Sequence, residues 1–419
     1  MSMKIGYACI TLGVPDTDLK SCIMKNASEE KLKELIASNL NALDHMLEYN
    51  HANKIRMFRI SSDLIPFGSS PVNQLQWWTL YEEKFRSLGD KIKKYRIRVS
   101  MHPGQYTVLN SPDNAIVERA IHDLRYHARV LDSLNTGPEC KIILHIGGVY
   151  QEKEKAIERF KANYSKLEPS LRQRLVIEND DKSYNMSDVL AIGSQLNIPV
   201  VFDNLHHQAN PSDHEFSDRE WVNACKKTWT KKDGVQKLHY SQQGADKKPG
   251  SHSASIQIKE FLKFCQEIGR EDVDIMLEVK DKNLSAMKCI NSMQKPQNID
   301  LESEWNKYKF SVLEKSSEVY EAIVSLLHEN ENYSVAEFYS LIETALNKSQ
   351  TILQAVDAVQ CIWEYFSEEA SLVERQKLFH LLNDYREGNI TLSSLKNYLR
   401  KLTVKYQVEE IISSYYFIL

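Results

Sequence analysis

Apolar, often β-branched runs recur along the first 280 residues of this chain, at 4–10, 57–61, 97–102, 141–147, 175–180, 199–204, 235–241 and 273–279. The segments between them carry apolar residues at helical spacing and begin on capping residues, such as Ser28 ahead of Glu29-Glu30, Ser111-Pro112-Asp113, and Ser217-Asp218. Strands alternating with helices predict an α/β protein with a parallel sheet, and eight such units within residues 1–293 predict a (β/α)8 TIM barrel. The alternation by itself also fits a doubly wound open sheet.

The ends of the runs favour the barrel. From the third to the eighth they finish on His102, His145, Glu178, Asp203, His239 and Glu278, and the loops that follow add His206 and His252. In a (β/α)8 barrel those ends converge on the face where active sites are built. One His or Glu at a strand end is ordinarily a hydrogen-bonded loop residue; six in succession are a cluster. Three carboxylates and several imidazoles crowded into one mouth are costly without cations to neutralise them, so a multinuclear metal site is expected.

Donor chemistry narrows the metal. Mixed imidazole and carboxylate without cysteine suits Mn²⁺ or Zn²⁺ better than Mg²⁺, and Glu178 is placed to bridge two ions about 3.5–4 Å apart. Lys237 and His239 are two apart on one strand and face the same side. An ammonium beside cations is repelled, so Lys237 is expected either neutral or converted by CO₂ to a metal-binding carbamate. A barrel lysine paired with a carboxylate is the plainer alternative. After His102, Pro103-Gly104 turns the chain and leaves Gln105 and Tyr106 on the loop beyond.

Several blocks of residues carry a family resemblance. HPGQYTVLNSP (102–112), LHIGG (144–148), IEND (177–180), VFDNLHH (201–207), KLHYS (237–241) and LEVKDK (277–282) resemble the UV damage endonuclease family. So do GYACITLGVP (6–15), RISSDLIPFGS (59–69) and EWNKYKFSVLE (304–314), and the likeness covers about residues 3–327. It implies a metal-dependent DNA repair hydrolase related to endonuclease IV. Such an enzyme nicks UV-damaged double-stranded DNA immediately 5′ of cyclobutane pyrimidine dimers and 6-4 photoproducts, leaving a 3′-hydroxyl and a 5′-phosphate. Cleavage at abasic sites would be a side activity.

The resemblance further implies two or three ions, Mn²⁺ favoured with Zn²⁺ or Mg²⁺ as alternatives. They would be held by His102, His145, Glu178, Asp203, His206, His239, His252, Glu278 and a modified Lys237. Glu178, Lys237 and His239 would be catalytic, Gln105 and Tyr106 would wedge into the duplex opposite the lesion, and Tyr7 would contact the damaged nucleotides. Some relatives place an asparagine where Thr11 stands, a departure within the lesion-facing loop.

Charge and tail refine the picture. The chain has a net charge of -4, but residues 301–419 hold 18 acidic and 11 basic side chains, leaving 42 basic against 39 acidic in 1–300. Basic clusters at 226–232 and 247–248 are expected near the mouth, whereas 91–98 precedes the third strand and is expected at the far end. Seven scattered cysteines without a CxxC pair, no signal peptide and no apolar run of membrane length predict a cytoplasmic protein with reduced thiols.

The expected organisation is a barrel over 1–300, a helix at 301–327 packing on it, and a small all-α accessory domain of unknown function over 328–419, in a monomer. Tail helices are predicted over 304–327, 333–349, 351–369, 370–387 and 392–417, with Gly388-Asn389 breaking the last two. Residues 361–406 resemble a YbgA-like helical domain, and Trp363, Tyr365 and Phe366 are expected in its core. Two other function classes fit parts of this pattern: a sugar isomerase of the xylose isomerase type, and a lesion-binding module without catalysis.

Overall fold

A computed structural model of the chain describes residues 3–269, 272–329 and 334–419. Among these, eight strands follow one another: β1 (Ile5–Ala8), β2 (Met57–Arg59), β3 (Arg98–Ser100), β4 (Ile142–His145), β5 (Leu175–Glu178), β6 (Val200–Asp203), β7 (Gln236–Tyr240) and β8 (Val273–Leu277). All eight runs read from the sequence form strands. They pair in parallel in the order β3-β2-β1-β8-β7-β6-β5-β4, and a parallel bridge from Met101 to Ile142 joins the two outer strands. The sheet is a barrel, which excludes the open doubly wound alternative.

Sequence explains the elements. The strands are short and buried along their length, as parallel strands covered by helices must be. Ser28 caps the helix Glu29–Ala52 by accepting from Lys31 N–H, Asp113 caps Asn114–Ser133, and Ser217 forms a reciprocal capping box with Glu220.

The barrel floor is an ionic layer. Arg98 on β3 donates to Asp274 on β8 at 3.0 Å and to the carbonyls of Glu139, Asp233 and Val235, all from within the protein. Lys141 donates to Asp233 at 2.6 Å beside it. This corrects the placement of the 226–232 cluster: Lys231 and Lys232 lie directly before β7, at the strands' amino ends and away from the mouth. The same rule of strand direction that put 91–98 at the far end applies here. Lys247 and Lys248 follow β7 and are exposed on the mouth side.

The chain divides into two compact units, Met1–Ile256 with Lys263–Ile290, and Gln257–Leu262 with Asn291–Leu419. In the second unit the expected helix 304–327 is two helices, Leu301–Lys315 and Ser317–Glu329. Ser316 adopts an extended backbone between them and its hydroxyl accepts from Val319 N–H, so it ends one helix and caps the next. Helices Val335–Leu346, Ile352–Glu364, Leu372–Arg386 and Leu392–Lys405 follow, with Gly388 at φ 77 between the last two. Tyr333, at the start of the predicted 333–349 helix, lies outside the described residues. The predicted 392–417 helix stops at Lys405 because Gln407 takes φ 52. Trp363 and Phe366 join Phe310, Leu378, Leu395 and Leu399 in the core. Tyr365 does not: it is 42% exposed and its hydroxyl donates to Glu410.

Removing one partner of a buried ion pair strands the other, at about 3–5 kcal/mol. Asp274→Ala is therefore expected to lower barrel stability by about that much, read as a shifted urea transition. A shift below about 1 kcal/mol would contradict the role given to the floor.

Candidate metal centre

Parallel register makes the mouth residues neighbours. His145 on β4 lies beside Glu178 on β5, and Asp203 on β6 lies beside His239 on β7. His102 follows β3, and Glu278 follows β8 with its amide donating to the Tyr240 carbonyl. Glu178 sits between the two groups. One of its carboxylate oxygens, Oε2, faces His102 Nε2 at 3.3 Å and His145 Nε2 at 3.7 Å. The other, Oε1, accepts from His239 Nδ1 at 2.5 Å.

Six of the nine expected metal ligands thus form two donor sets, His102–His145–Glu178 and Glu178–Asp203–His239–Glu278, with Glu178 common to both. His206 and His252 stand at the edge. His206 Nδ1 is 3.9 Å from Asp203 and bonds the Asn179 carbonyl at 2.9 Å, which leaves Nε2 free. His252 Nε2, in the loop after β7, is 3.7 Å from Glu278. Hydrogen bonds orient the rings, as His102 Nδ1 bonds the Pro103 carbonyl at 2.9 Å and so turns its Nε2 to Glu178.

Arg59, the last residue of β2, was not among the expected site residues. Its guanidinium donates to Glu278 at 2.5 Å and to His239 Nε2 at 3.0 Å. A guanidinium only donates, so His239 Nε2 accepts from Arg59 and Nδ1 carries the proton facing Glu178; for His239 to ligate a metal through Nδ1, that proton would have to leave. The residue lay inside the quoted block 59–69, but a cation is not sought in a site read as binding cations.

Electrostatics follow burial. Glu178 is fully buried, and desolvation, followed by the nearby Glu278 and Asp203, raises its pKa well above the usual carboxylate range. Burial also raises Asp203. Burial opposes ionisation of Glu278 too, but Arg59 and then His239 outweigh it and hold its carboxyl well below that range. Burial, then His206, pushes His145 down to about 4, so its imidazole is neutral and able to donate a lone pair near pH 7.

The donor set fits divalent metal. Glu178 Oε2, Asp203 Oδ2 and His145 Nδ1 are buried without a hydrogen-bond partner. Buried carboxylate oxygens left unpartnered are costly, and a cation between them supplies what is missing. Lys237 lies one layer deeper, in register with Asp274. It is fully buried and its Nζ has no hydrogen-bond partner, so the simple lysine–carboxylate pair is not formed. Burial, then Arg98 and Arg59, depress its pKa well below the ordinary lysine value.

The loop residues differ in exposure. Gln105 is exposed and Tyr106 is 83% exposed, beyond the turn at Pro103-Gly104. Tyr7, by contrast, is fully buried, and its hydroxyl bonds Thr11 Oγ1 at 2.6 Å and Asn50 Oδ1 at 2.9 Å. The large apolar residue that this loop presents to solvent is Ile10, 46% exposed. No helix among the described residues is long and apolar enough to cross a membrane.

Comparison with known proteins bears on this geometry. Residues 3–308 match the family model described as UV-endonuclease UvdE, and residues 309–418 match DUF1722, a family of unknown function. The chain is 39% identical over 420 residues to the UV DNA damage endonuclease of Clostridium perfringens (strain 13 / Type A), covering 99% of each protein. It is 32% identical over 305 residues to that of Bacillus cereus (strain G9842), covering 70% of this chain and 95% of the relative. The crystal structure of SacUVDE is similar over 71% of this chain and 100% of its own, at 37% identity and a TM-score of 0.67.

Because Glu178 belongs to both donor sets, Glu178→Gln is expected to abolish or halve Mn²⁺ uptake in equilibrium dialysis, against at least two ions per chain for the native protein. Equal stoichiometry in the two proteins would contradict the shared carboxylate.

Proposed function

As the chain belongs to the UV-endonuclease UvdE family, we propose that it cuts the backbone of UV-damaged duplex DNA immediately 5′ of a cyclobutane dimer or 6-4 photoproduct. The products are a 3′-hydroxyl and a 5′-phosphate, with abasic sites as a secondary substrate. The observation that carries this reading is the pair of donor sets sharing Glu178 at the foot of the exposed Gln105–Tyr106 loop. Two or three divalent ions, Mn²⁺ by preference, would supply Lewis-acid stabilisation of the phosphoryl oxygens and activation of water.

The chain's own residues do the positioning. His102, His145, Glu178, Asp203, His239 and Glu278, joined by His206 and His252, form the metal-binding ring. Glu178 accepts a hydrogen bond from His239, and Arg59 holds Glu278 ionised beside it. Lys237 is a buried, unpartnered amine close to the Arg98 and Arg59 guanidiniums. Such an amine is nucleophilic; bonding to CO₂ with loss of one proton gives a carbamate anion that those guanidiniums favour and that joins the ring.

Recognition begins with the wedge. A covalent pyrimidine dimer stacks poorly, so taking it out of the helix costs less than taking out intact bases. Tyr106 and Gln105 fill the vacated stack, and Tyr7 supports the lesion-facing loop through Thr11. A small closed sugar pocket would leave so exposed a tyrosine without a task. On this reading the protein acts in the cytoplasm, on the nucleoid's DNA, as a monomer.

The test uses an end-labelled duplex with one thymine dimer, incubated with Mn²⁺, beside undamaged and abasic duplexes. A single nick immediately 5′ of the dimer is expected, removed by EDTA. Tyr106→Ala is expected to weaken dimer-duplex binding by about 1–3 kcal/mol, the worth of one stacked base. Cutting at the abasic site alone would transfer the protein to endonuclease IV-type activity, and no cutting by the Mn²⁺-loaded protein would overturn the reading.

A further inference from the structure

A cavity of 1160 Å³ is lined by the wedge loop and by none of the metal-ring residues. Gln105, Tyr106 and Thr107 form one wall. The helix Asn114–Ser133 forms another, and Arg119, His122, Tyr126 and Arg129 all line the cavity from it. Those residues are spaced three, four and three apart, which puts them on one helical stripe. Arg119, His122 and Arg129 are exposed. The Arg129 guanidinium lies 3.9 Å over the Trp78 ring, whereas Arg125 is neutralised by Glu168 at 2.5 Å.

The cavity is shaped by the backbone as well. A Cβ at Gly68 would come within 2.3 Å of the Tyr126 ring, so only glycine lets this wall lie against the tyrosine. Gly147, at φ +113, would meet Asn110 Oδ1 at 2.4 Å. The wedge loop is tied to the same helix: Thr107 donates to Asp123 at 2.7 Å, and Ser62 bonds both His127 at 2.8 Å and the His102 carbonyl at 3.0 Å. Asp123 is the acidic residue of the lining, and Thr107 occupies it.

We infer that this groove docks the strand opposite the lesion, with Arg119 and Arg129 on its phosphates and the aromatic faces on its displaced bases. The inference rests on the proposed lesion-endonuclease reading. The strand to be cut must lie over the metal ring, on one side of the Gln105–Tyr106 wedge. A wedge that parts the duplex sends the other strand away from the ring, and the groove borders the wedge without including any ring residue. Size agrees, since pockets for single small ligands hold about 300–1,000 Å³. Arg119 and Arg129 are ten residues apart, about 15 Å along the helix, or about four nucleotide steps at 3.4 Å each.

Fluorescence anisotropy without added metal tests this apart from cleavage. The probes are a thymine-dimer duplex, the undamaged duplex, and the dimer strand alone, bound to native protein and to Arg119→Ala/Arg129→Ala. Both positions are exposed helix sites where alanine is compatible with folding. The variant is expected to bind the dimer duplex about tenfold or more weakly, with a salt dependence shallower by about two phosphate contacts. Its binding to the single dimer strand is expected to stay within twofold of native. An unchanged duplex affinity, or an equal loss on duplex and single strand, overturns the groove while leaving the endonuclease reading intact. Native protein that holds the dimer duplex no more tightly than the undamaged one overturns both.

Discussion

A carboxylate that is fully buried and has too few donors governs the mouth of this barrel. Glu178 is fully buried, one oxygen given to His239 and the other facing two imidazoles without a hydrogen bond. Nothing in a parallel sheet obliges an acid to sit there; what makes it tolerable is the ring of donors around it. Register supplies the ring, because strands that pair in step bring His145 to Glu178 and Asp203 to His239, and closure of the sheet brings His102 and Glu278 round to meet them. Cations would complete the neutralisation that the side chains leave unfinished.

Below that ring the charge sign reverses. Arg59 and Arg98 occupy the barrel interior, with Asp274 as the buried counter-charge to Arg98 and the Lys237 amine close to both guanidiniums. Acidic donors at the mouth over guanidiniums in the interior set where a metal would be held and where an anion would be stabilised. The two layers are coupled through Arg59, which reaches Glu278 and His239 from β2, a strand that carries no metal ligand of its own.

Much of this was legible in the sequence because a barrel writes its site at strand ends. His102, His145, Glu178, Asp203, His239 and Glu278 could be read as one cluster since the strand count and direction alone bring them together. Arg59 escaped because its part depends on which side chain faces it across the barrel, which spacing does not disclose. The burial of Tyr7 depends likewise on Asn50, 43 residues away. Direction matters for loops too: Lys231 and Lys232 precede β7, and only the end of a strand, not its beginning, faces the mouth. In the helical unit, periodicity marked Trp363 and Phe366 as core but could not show that Ser316 and Gln407 break their helices, since both act through backbone conformation.

The most direct measurement of the central claim is the electron paramagnetic resonance spectrum of the protein titrated with Mn²⁺. A carboxylate shared by two donor sets brings two ions within about 3.5–4 Å. The six-line signal of isolated Mn²⁺ should therefore give way to a broadened, exchange-coupled spectrum as the second equivalent binds. Two equivalents that add as independent six-line signals would show that Glu178 does not join the two sets, and the account of the mouth would fail.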